Sequence, residues 1–505
     1  MQRAALLIFC WICLIAAGAW LRFEDLGKRP FHADEATGAR ITAKRLESGG
    51  VRFDPKHYHG PLLSGSAMPV CRWNEQTRWQ DLRKSTLRLV PAAAGTLLLL
   101  LPLLGRRRFG DPAMLFAAAC LATSPLLVYY SRMFIHESLL VLFGMAVPWF
   151  LPDRRRWWIA GVLTGLMFAT KETFAISVLA WTGAALLLAW EKRDRIDVAA
   201  LLRAWRECRV PAAVAVTAAA LTSMFFYTGG FRHPQGAVDA IRTFFVYETV
   251  GGHDKPFFYY FQLLALPEKA GGRWWFETPL LIAALVAYAG TFRIGWFPPQ
   301  SRDAVRFLSY AAAGHFLIYS LIGYKTPWLA SLPWAHVAVA AGFAVAPLAG
   351  RGLAGSLAAL LFAAACLVPQ VKVSRNAVGR LASDVRNPYA YVPTRMDVER
   401  LEDWLVRLRE VVGGSALEPV AVAGADYWPL PWYLRSFGRI GYWPEPVPAM
   451  KEMPLVLAMP ETADAMAELL GDTHAALPRG LRPDVPVMLF VRNDLWKQWM
   501  ENDSR

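Results

Sequence analysis

The chain has 505 residues, of which 55% are hydrophobic, with a formal net charge of +14 and a mean hydropathy of +0.28. Those values exclude a disordered or fibrous protein and a single soluble domain, and they mark a helical membrane bundle with one appended domain. The positive charge does not indicate a nucleic-acid partner, because its arginines fall in tight clusters between apolar runs, as on the cytoplasmic side of membrane proteins.

Residues 4–21 form an uncharged run of 18 residues, just long enough to span a hydrocarbon core. Arg3 and the small residues from Ala16 to Ala19 imitate a cleavable signal, but Trp11 and Trp20 suit a retained anchor. Further apolar runs occupy 89–104, 113–130, 138–151, 157–170, 173–190, 210–227, 278–292, 307–324, 326–350 and 353–368, which makes eleven candidate spans. The pair at 138–151 and 157–170 is short enough to be re-entrant. Four of the six cysteines (Cys10, Cys13, Cys120 and Cys366) lie inside apolar runs, and no disulfide framework or metal-binding C-x-x-C is expected.

Orientation follows from the short loops. Arg106–Arg108, Arg154–Arg156, the basic group from Lys192 through Arg193, Arg195, Arg203 and Arg206 to Arg209, and Arg293, Arg302 and Arg306 all fall on one side if the first helix starts in the cytoplasm. The positive-inside rule then places the large first loop 22–88, residues 131–137, 229–277 and the C-terminal segment outside the cell (inner or plasma) membrane. Six of the nine histidines (His32, His57, His59, His136, His233 and His253) lie in the three outer loops ahead of the C-terminal segment, so chemistry is expected on that face.

The expected division is a transmembrane domain over 1–370 and an extracytoplasmic α/β domain over 371–505. In the latter, 396–412 reads as an amphipathic helix, 419–423, 455–459 and 487–491 as strands, and 461–470 as a helix before a final one. This alternation predicts mostly parallel pairing. No G-x-G-x-x-G or P-loop occurs in it, so no nucleotide is expected.

Three groups of residues carry candidate chemistry. Asp34 and Glu35 open a predicted helix that runs to about Glu47 and stops at Gly49-Gly50; a first-turn carboxylate is held as an anion by the helix dipole, which suits a base activating a hydroxyl. The alternative role for Asp34 is a helix cap. His57 and His59 alternate in the same loop, and His136 and Glu137 fill the next outer loop beside Arg132. Convergence of these groups would build a general-base or divalent-cation site, with His32, Asp34 and Glu137 as candidate ligands of zinc or manganese. Arg132, Lys171 and Lys325 sit at outer span ends, where a basic group grips a lipid phosphate or merely snorkels to the interface.

These motifs resemble GT-C glycosyltransferases: protein O-mannosyltransferases, aminoarabinose transferases and oligosaccharyltransferase catalytic subunits. They are most similar to a prokaryotic branch called flippase-activity-associated proteins. The likeness rests on His32-Ala33-Asp34-Glu35-Ala36, His57-Tyr58-His59-Gly60-Pro61, Ser131-Arg132 with His136-Glu137, Lys171-Glu172-Thr173, Tyr324-Lys325-Thr326-Pro327-Trp328, and Trp428-Pro429-Leu430-Pro431-Trp432-Tyr433 in the tail. The resemblance implies a polyprenyl-phosphate sugar donor, an acceptor arriving from outside, and inversion at the sugar carbon. It also implies Asp34 as general base, Glu35 in support, and Glu137 orienting the acceptor or a metal. The chain has no D-x-D. The expected function is therefore an inverting membrane glycosyltransferase, with His57, His59 and His136 among the substrate-binding residues. The alternative is a non-catalytic accessory that binds a lipid-linked sugar for a flippase partner.

Overall fold

The computed structural model describes residues 2–49, 52–193, 198–246 and 252–503. Gly50 and Arg195 lie outside the described residues. Each predicted apolar run is helical, and the bounds follow local chemistry. The first span, α1, covers Gln2–Phe23. In the first loop, α2 covers Ala33–Ser48 and ends at Gly49, whose φ of 71° is the left-handed stop that glycine supplies. A further helix in this loop, α3 (Leu62–Trp73), was not predicted. The next span begins with α4, Lys84–Leu97, and tightens into a 3-10 segment before Arg106.

The expected span 113–130 is two helices, α5 (Asp111–Thr123) and α6 (Pro125–Tyr130). Proline at 125 has no N–H to continue the ladder, so the chain restarts there with Ser124 as the cap. The short pair is α7 (Glu137–Phe150) and α8 (Trp157–Thr170). The bundle continues with α9 (Phe174–Glu191) and α10 (Val198–Tyr227). Two helices of the long loop follow, α11 (Gln235–Val246) and α12 (Tyr259–Ala265). The remaining spans are α13 (Thr278–Gly290), α14 (Pro299–Leu321), a broken segment centred on α15 (Ser331–Gly342), and α16 (Gly352–Val378). Among the described residues, six helices are long and apolar enough to cross a membrane, and the chain is a multi-pass membrane protein. The last of them runs past residue 370, where the sequence places the domain boundary.

The basic clusters gather at one end of the bundle. Arg154 pairs with Glu207, Arg306 with Glu191 at 2.8 Å, and Lys192 with Asp303 at 2.5 Å, while Gln300 reaches the carbonyl of Arg108. Helix packing is set by small residues. In α8, Gly161 and Gly165 face α10 so closely that a Cβ would stand 2.1 Å from the Ala215 carbonyl oxygen and 2.5 Å from that of Ala219. Without hydrophobic drive between lipid-immersed helices, this backbone approach supplies the contact.

After α16 the chain crosses to α17 (Met396–Val412) and a five-stranded sheet. The strands are β1 (Val420–Ala423), β2 (Ile440–Trp443), β3 (Leu455–Ala458), β4 (His474–Arg482) and β5 (Val485–Arg492), in the order β2-β1-β3-β5-β4. Helix α18 (Pro460–Leu470) precedes β4, and α19 (Asn493–Asp503) closes the chain. Pairing is parallel for β1 with β2 and β3, and antiparallel for β3 with β5 and β4 with β5. The sheet is thus mixed, which corrects the mostly parallel expectation. The difference comes from the β4–β5 hairpin: its half-exposed strands give only the weaker alternating signal, and β4 went unread. One core joins this domain to the first loop, with Phe31, Ala39, Leu63 and Trp79 packed among Leu401, Trp432 and Tyr433.

The α8–α10 contact gives a direct test. Gly161→Ala forces the helices apart and is expected to cost about 1–3 kcal/mol, read as a lower Tm in detergent. Gly183→Ala in α9, where a Cβ meets nothing within 4 Å, is expected to leave Tm unchanged or slightly raised.

Candidate active site

The start of α2 is built as a reciprocal cap. His32 Nδ1 accepts the backbone N–H of Asp34 at 3.1 Å, and Glu35 Oε2 accepts the N–H of His32 at 3.0 Å. His32 Nε2 lies 3.1 Å from the Tyr391 carbonyl and donates to it. The cap is therefore His32, not Asp34. The same ring nitrogen lies 3.8 Å from the Asp34 carboxylate.

Consecutive residues on this helix diverge. Glu35 is fully buried and receives Arg88 in a two-pronged grip at 2.7 Å on each oxygen, plus the Phe134 N–H at 2.8 Å. Burial alone would raise its carboxyl, but the charge and bonds of Arg88 hold it down at about 2. Every lone pair of Glu35 is occupied, so the expected catalytic role fails; it is a structural anchor. The Asp34 side chain is 53% exposed, and no lysine or arginine pairs with it among the described residues.

A wall of the site comes from two strand-like segments. Asp254 and Tyr324 form an antiparallel bridge, Lys255 N–H donates to the Gly323 carbonyl at 3.1 Å, and Lys325 N–H donates to the His253 carbonyl at 3.0 Å. His253 Nδ1 meets the Tyr391 hydroxyl at 2.5 Å. Burial pushes the Tyr391 hydroxyl up, and the Asp34 charge adds to it. Burial likewise lifts the Tyr324 hydroxyl to about 12, with Lys171 pulling against it and Asp34 and Glu137 adding to it. Tyr324 thus stands between Asp34 and a second polar network. The sequence reasoning missed Tyr391, His253 and Lys255; the polar run His253-Asp254-Lys255 ahead of Phe257-Phe258 was the available signal.

The second network contains the other acids. Lys171 Nζ donates to Glu137 Oε1 at 2.7 Å, both side chains being buried. His59 Nδ1 and Glu172 are 3.1 Å apart, and the His59 and His136 rings meet edge to face at 5.2 Å. Gly60 permits this: a Cβ there would lie 2.2 Å from the Ala169 carbonyl oxygen at the end of α8. Burial raises the Glu172 carboxyl, but His59 and Lys171 bring it to about 2. Burial keeps His136 neutral, well below the usual histidine range, helped by the nearby charges of His59 and Lys171.

Several expectations need correction. His57 pairs with Asp54 at 2.9 Å on the surface, so it and His59 do not face one site. Arg132 spends its guanidinium on the carbonyls of Leu21 at 2.8 Å and Glu24 at 2.5 Å, stapling the end of α1 rather than clamping phosphate. Lys325 is 2% exposed, and its ammonium turns inward to the carbonyls of Lys255, at 3.0 Å, and Ile322. Lys255, half-buried with its ammonium 5.9 Å over the Tyr391 ring, is the cation at the site's mouth. The metal expectation does not fit either. Among the described residues no group of three or more His, Cys, Asp or Glu can hold an ion; His32 has both nitrogens bonded and Glu137 is held by Lys171.

An apolar groove of about 730 Å³ runs along α13, α14 and α15. Phe257, Phe261, Phe316, Leu317 and Val337 are among its walls, and Phe257 follows Lys255 by two residues.

A polytopic bundle with its polar site under the first loop, capped by a C-terminal α/β domain, is the GT-C fold of membrane glycosyltransferases. The chain is similar to ArnT of Cupriavidus metallidurans, solved in the apo state (16% identity, 95% of this chain and 97% of that one, TM-score 0.60) and bound to undecaprenyl phosphate (16%, 96% and 98%, 0.61). It is also similar to the oligosaccharyltransferase AglB of Archaeoglobus fulgidus in complex with an inhibitory peptide and a dolichol-phosphate (13%, 94% and 73%, 0.57). Residues 81–203 match the family model for Dolichyl-phosphate-mannose-protein mannosyltransferase. No curated protein matches the sequence.

The two neighbouring acids are expected to respond differently to amide substitution. Glu35→Gln strands a buried guanidinium and costs about 3–5 kcal/mol, read as a lower Tm or lost folded yield; Asp34→Asn is expected to leave Tm nearly unchanged. Because the folded Glu35 carboxyl is depressed, its contribution is present above its ordinary 4.5 and is lost as pH falls towards about 2.

Proposed function

We propose that this chain is an inverting glycosyltransferase that moves a sugar from a polyprenyl-phosphate donor to an acceptor hydroxyl on the extracytoplasmic face. The observation that carries this reading is Asp34, a half-exposed carboxylate with no lysine or arginine partner among the described residues, at a site where Glu35, Glu137 and Glu172 are each held by a basic group. The likeness to ArnT supports the donor class. In this reading the arginine-rich end of the bundle and the N-terminus face the cytoplasm, and the C-terminal domain lies outside.

The donor's apolar chain occupies the groove that begins at Phe257, and its phosphate sits beside Lys255. Asp34 accepts the proton of the acceptor hydroxyl as that oxygen bonds to the anomeric carbon. The bond from that carbon to the phosphate oxygen breaks, its electron pair leaves with the lipid phosphate, and the carbon inverts. A phosphate leaves readily when its charge is compensated, so a cation beside it and one base suffice. Glu137 and Lys171 act together as a neutral, rigid floor, and His59 and His136 pack beside them.

Asp34→Asn tests this against the lipid-binding accessory. Purified protein with a panel of polyprenyl-phosphate sugars is expected to lose about 10²–10⁴-fold in lipid-phosphate release while still binding donor. Lys255→Ala is expected to weaken donor binding instead. Undiminished release or full cellular function in the Asn variant would leave the accessory as the better account.

A further inference from the structure

A second cavity, of about 540 Å³, opens between α2 and the C-terminal domain. Its floor on α2 is set by helical spacing. Asp34, Thr37, Ile41 and Lys44 recur at intervals of three and four and share one face, with Arg40 beside them, while Ala36, Ala39 and Ala43 turn to the common core. The same face that presents Asp34 therefore continues as the groove. At 1.5 Å of rise per residue, Lys44 stands about 15 Å from Asp34.

The lining has a one-sided chemistry. Arg40, Lys44 and Arg435 contribute cations, and among the described residues no acidic side chain lines the cavity. Arg435 is neutralised by Glu402 at 2.7 Å. Arg40 and Lys44 are exposed and have no carboxylate partner among the described residues; Arg40 rests over the Trp79 ring at 5.1 Å. The acid that follows on α2, Glu47, accepts the backbone N–H of Trp79 instead. The opposite wall carries Trp428 and the Tyr427–Tyr442 pair, with ring centroids 4.7 Å apart. Flat rings beside unpaired cations suit a ligand with apolar ring faces and negative charge. Among the described residues, the neutral hydrogen-bonding side chains on the lining are Thr37, Gln80, the tyrosine hydroxyls and the indole N–H groups of Trp79 and Trp428, and the indoles can only donate. A peptide backbone brings a donor and an acceptor at every residue and is poorly served there.

We propose that this groove is the acceptor subsite and that the acceptor is an anionic saccharide, its acidic group held by Arg40 and Lys44 and its ring faces by Tyr427, Trp428 and Tyr442. The proposal rests on Asp34 being the base, and it assigns the C-terminal domain the task of holding the acceptor's far end.

The test is direct binding to the full-length chain in detergent, with tetragalacturonate as probe, maltotetraose as its neutral counterpart and hexaglutamate as an acidic peptide. Tetragalacturonate is expected to bind about tenfold or more tightly than maltotetraose, and Arg40→Gln with Lys44→Gln to remove that advantage. Tyr442→Ala is expected to weaken both saccharides. Asp34→Asn is expected to keep tetragalacturonate binding, which separates failure of the groove from failure of the base. Hexaglutamate binding as tightly as tetragalacturonate would overturn the saccharide in favour of a peptide laid along the edge strand β2. Unchanged binding in the double variant, or no tetragalacturonate binding at millimolar concentration, would overturn the subsite. Thermal unfolding of each variant, unchanged from the parent chain, excludes misfolding as the cause.

Discussion

The buried ion pair of Arg88 and Glu35 holds the outer half of this molecule together. Arg88 rises from the start of α4 and makes five short contacts. Two go to Glu35, and the others go to the carbonyls of Leu26, Arg29 and Pro30 at 2.7 to 3.0 Å. Glu35 in turn takes the N–H groups of His32 and Phe134. A pair this far from water earns little net stability by itself, because desolvating two ions offsets most of their attraction. Its value is positional. The chain leaving α1, the first turn of α2, the start of α4 and the loop before α7 are all fixed to one point. None can shift without exposing an unpaired charge to a dry interior.

From that point the order spreads to the C-terminal domain. Phe31 donates its N–H to the Tyr433 hydroxyl at 2.7 Å, accepts the Thr394 hydroxyl at 2.8 Å, and lays its ring 4.2 Å from that of Trp432. The Tyr433 hydroxyl donates to Glu399 at 2.7 Å, and Glu399 pairs with Lys84 at the start of α4. A residue of the first loop is thereby wrapped by the tail, and the two share one core. The domain reads as soluble by composition, yet it packs as a lid on the first loop.

Much of this was legible in the sequence, and the omissions have physical causes. Apolar runs report helices in lipid faithfully, because backbone groups there must bond within their own segment. Helix α2 was readable from its acidic first turn and its glycine stop. The helix break at Ser124-Pro125 lay inside one apolar run, where hydropathy is blind to it. Several candidate residues make contacts other than those their sequence positions suggest. Arg132 and Lys325 both look like phosphate clamps by sequence position, and both turn to backbone carbonyls. Charge type and loop assignment do not tell which way a long side chain folds. Lys255 was overlooked because it sits mid-loop, away from any span end, and its place over the Tyr391 ring goes with the pairing of 253–255 with 323–325.

The adjacent acids of α2 show how one local rule produces two different surroundings. Successive residues on an α-helix point about 100° apart, so a pair at its first turn cannot both face the core. Glu35 faces inward and meets Arg88; Asp34 faces outward beneath Tyr391 and Tyr324. The inward acid needs its partner to be tolerated, and the partner makes the helix start immobile. The outward acid then gains a fixed position that it does not have to maintain through contacts of its own. A base must keep its lone pairs free and still be held to within a fraction of an ångström of its substrate. A carboxylate anchored by an ion pair would satisfy only the second demand, and one on a loose loop only the first. Placing the anchor one residue along the chain satisfies both, and it explains why the exposed member of the pair is the one suited to chemistry.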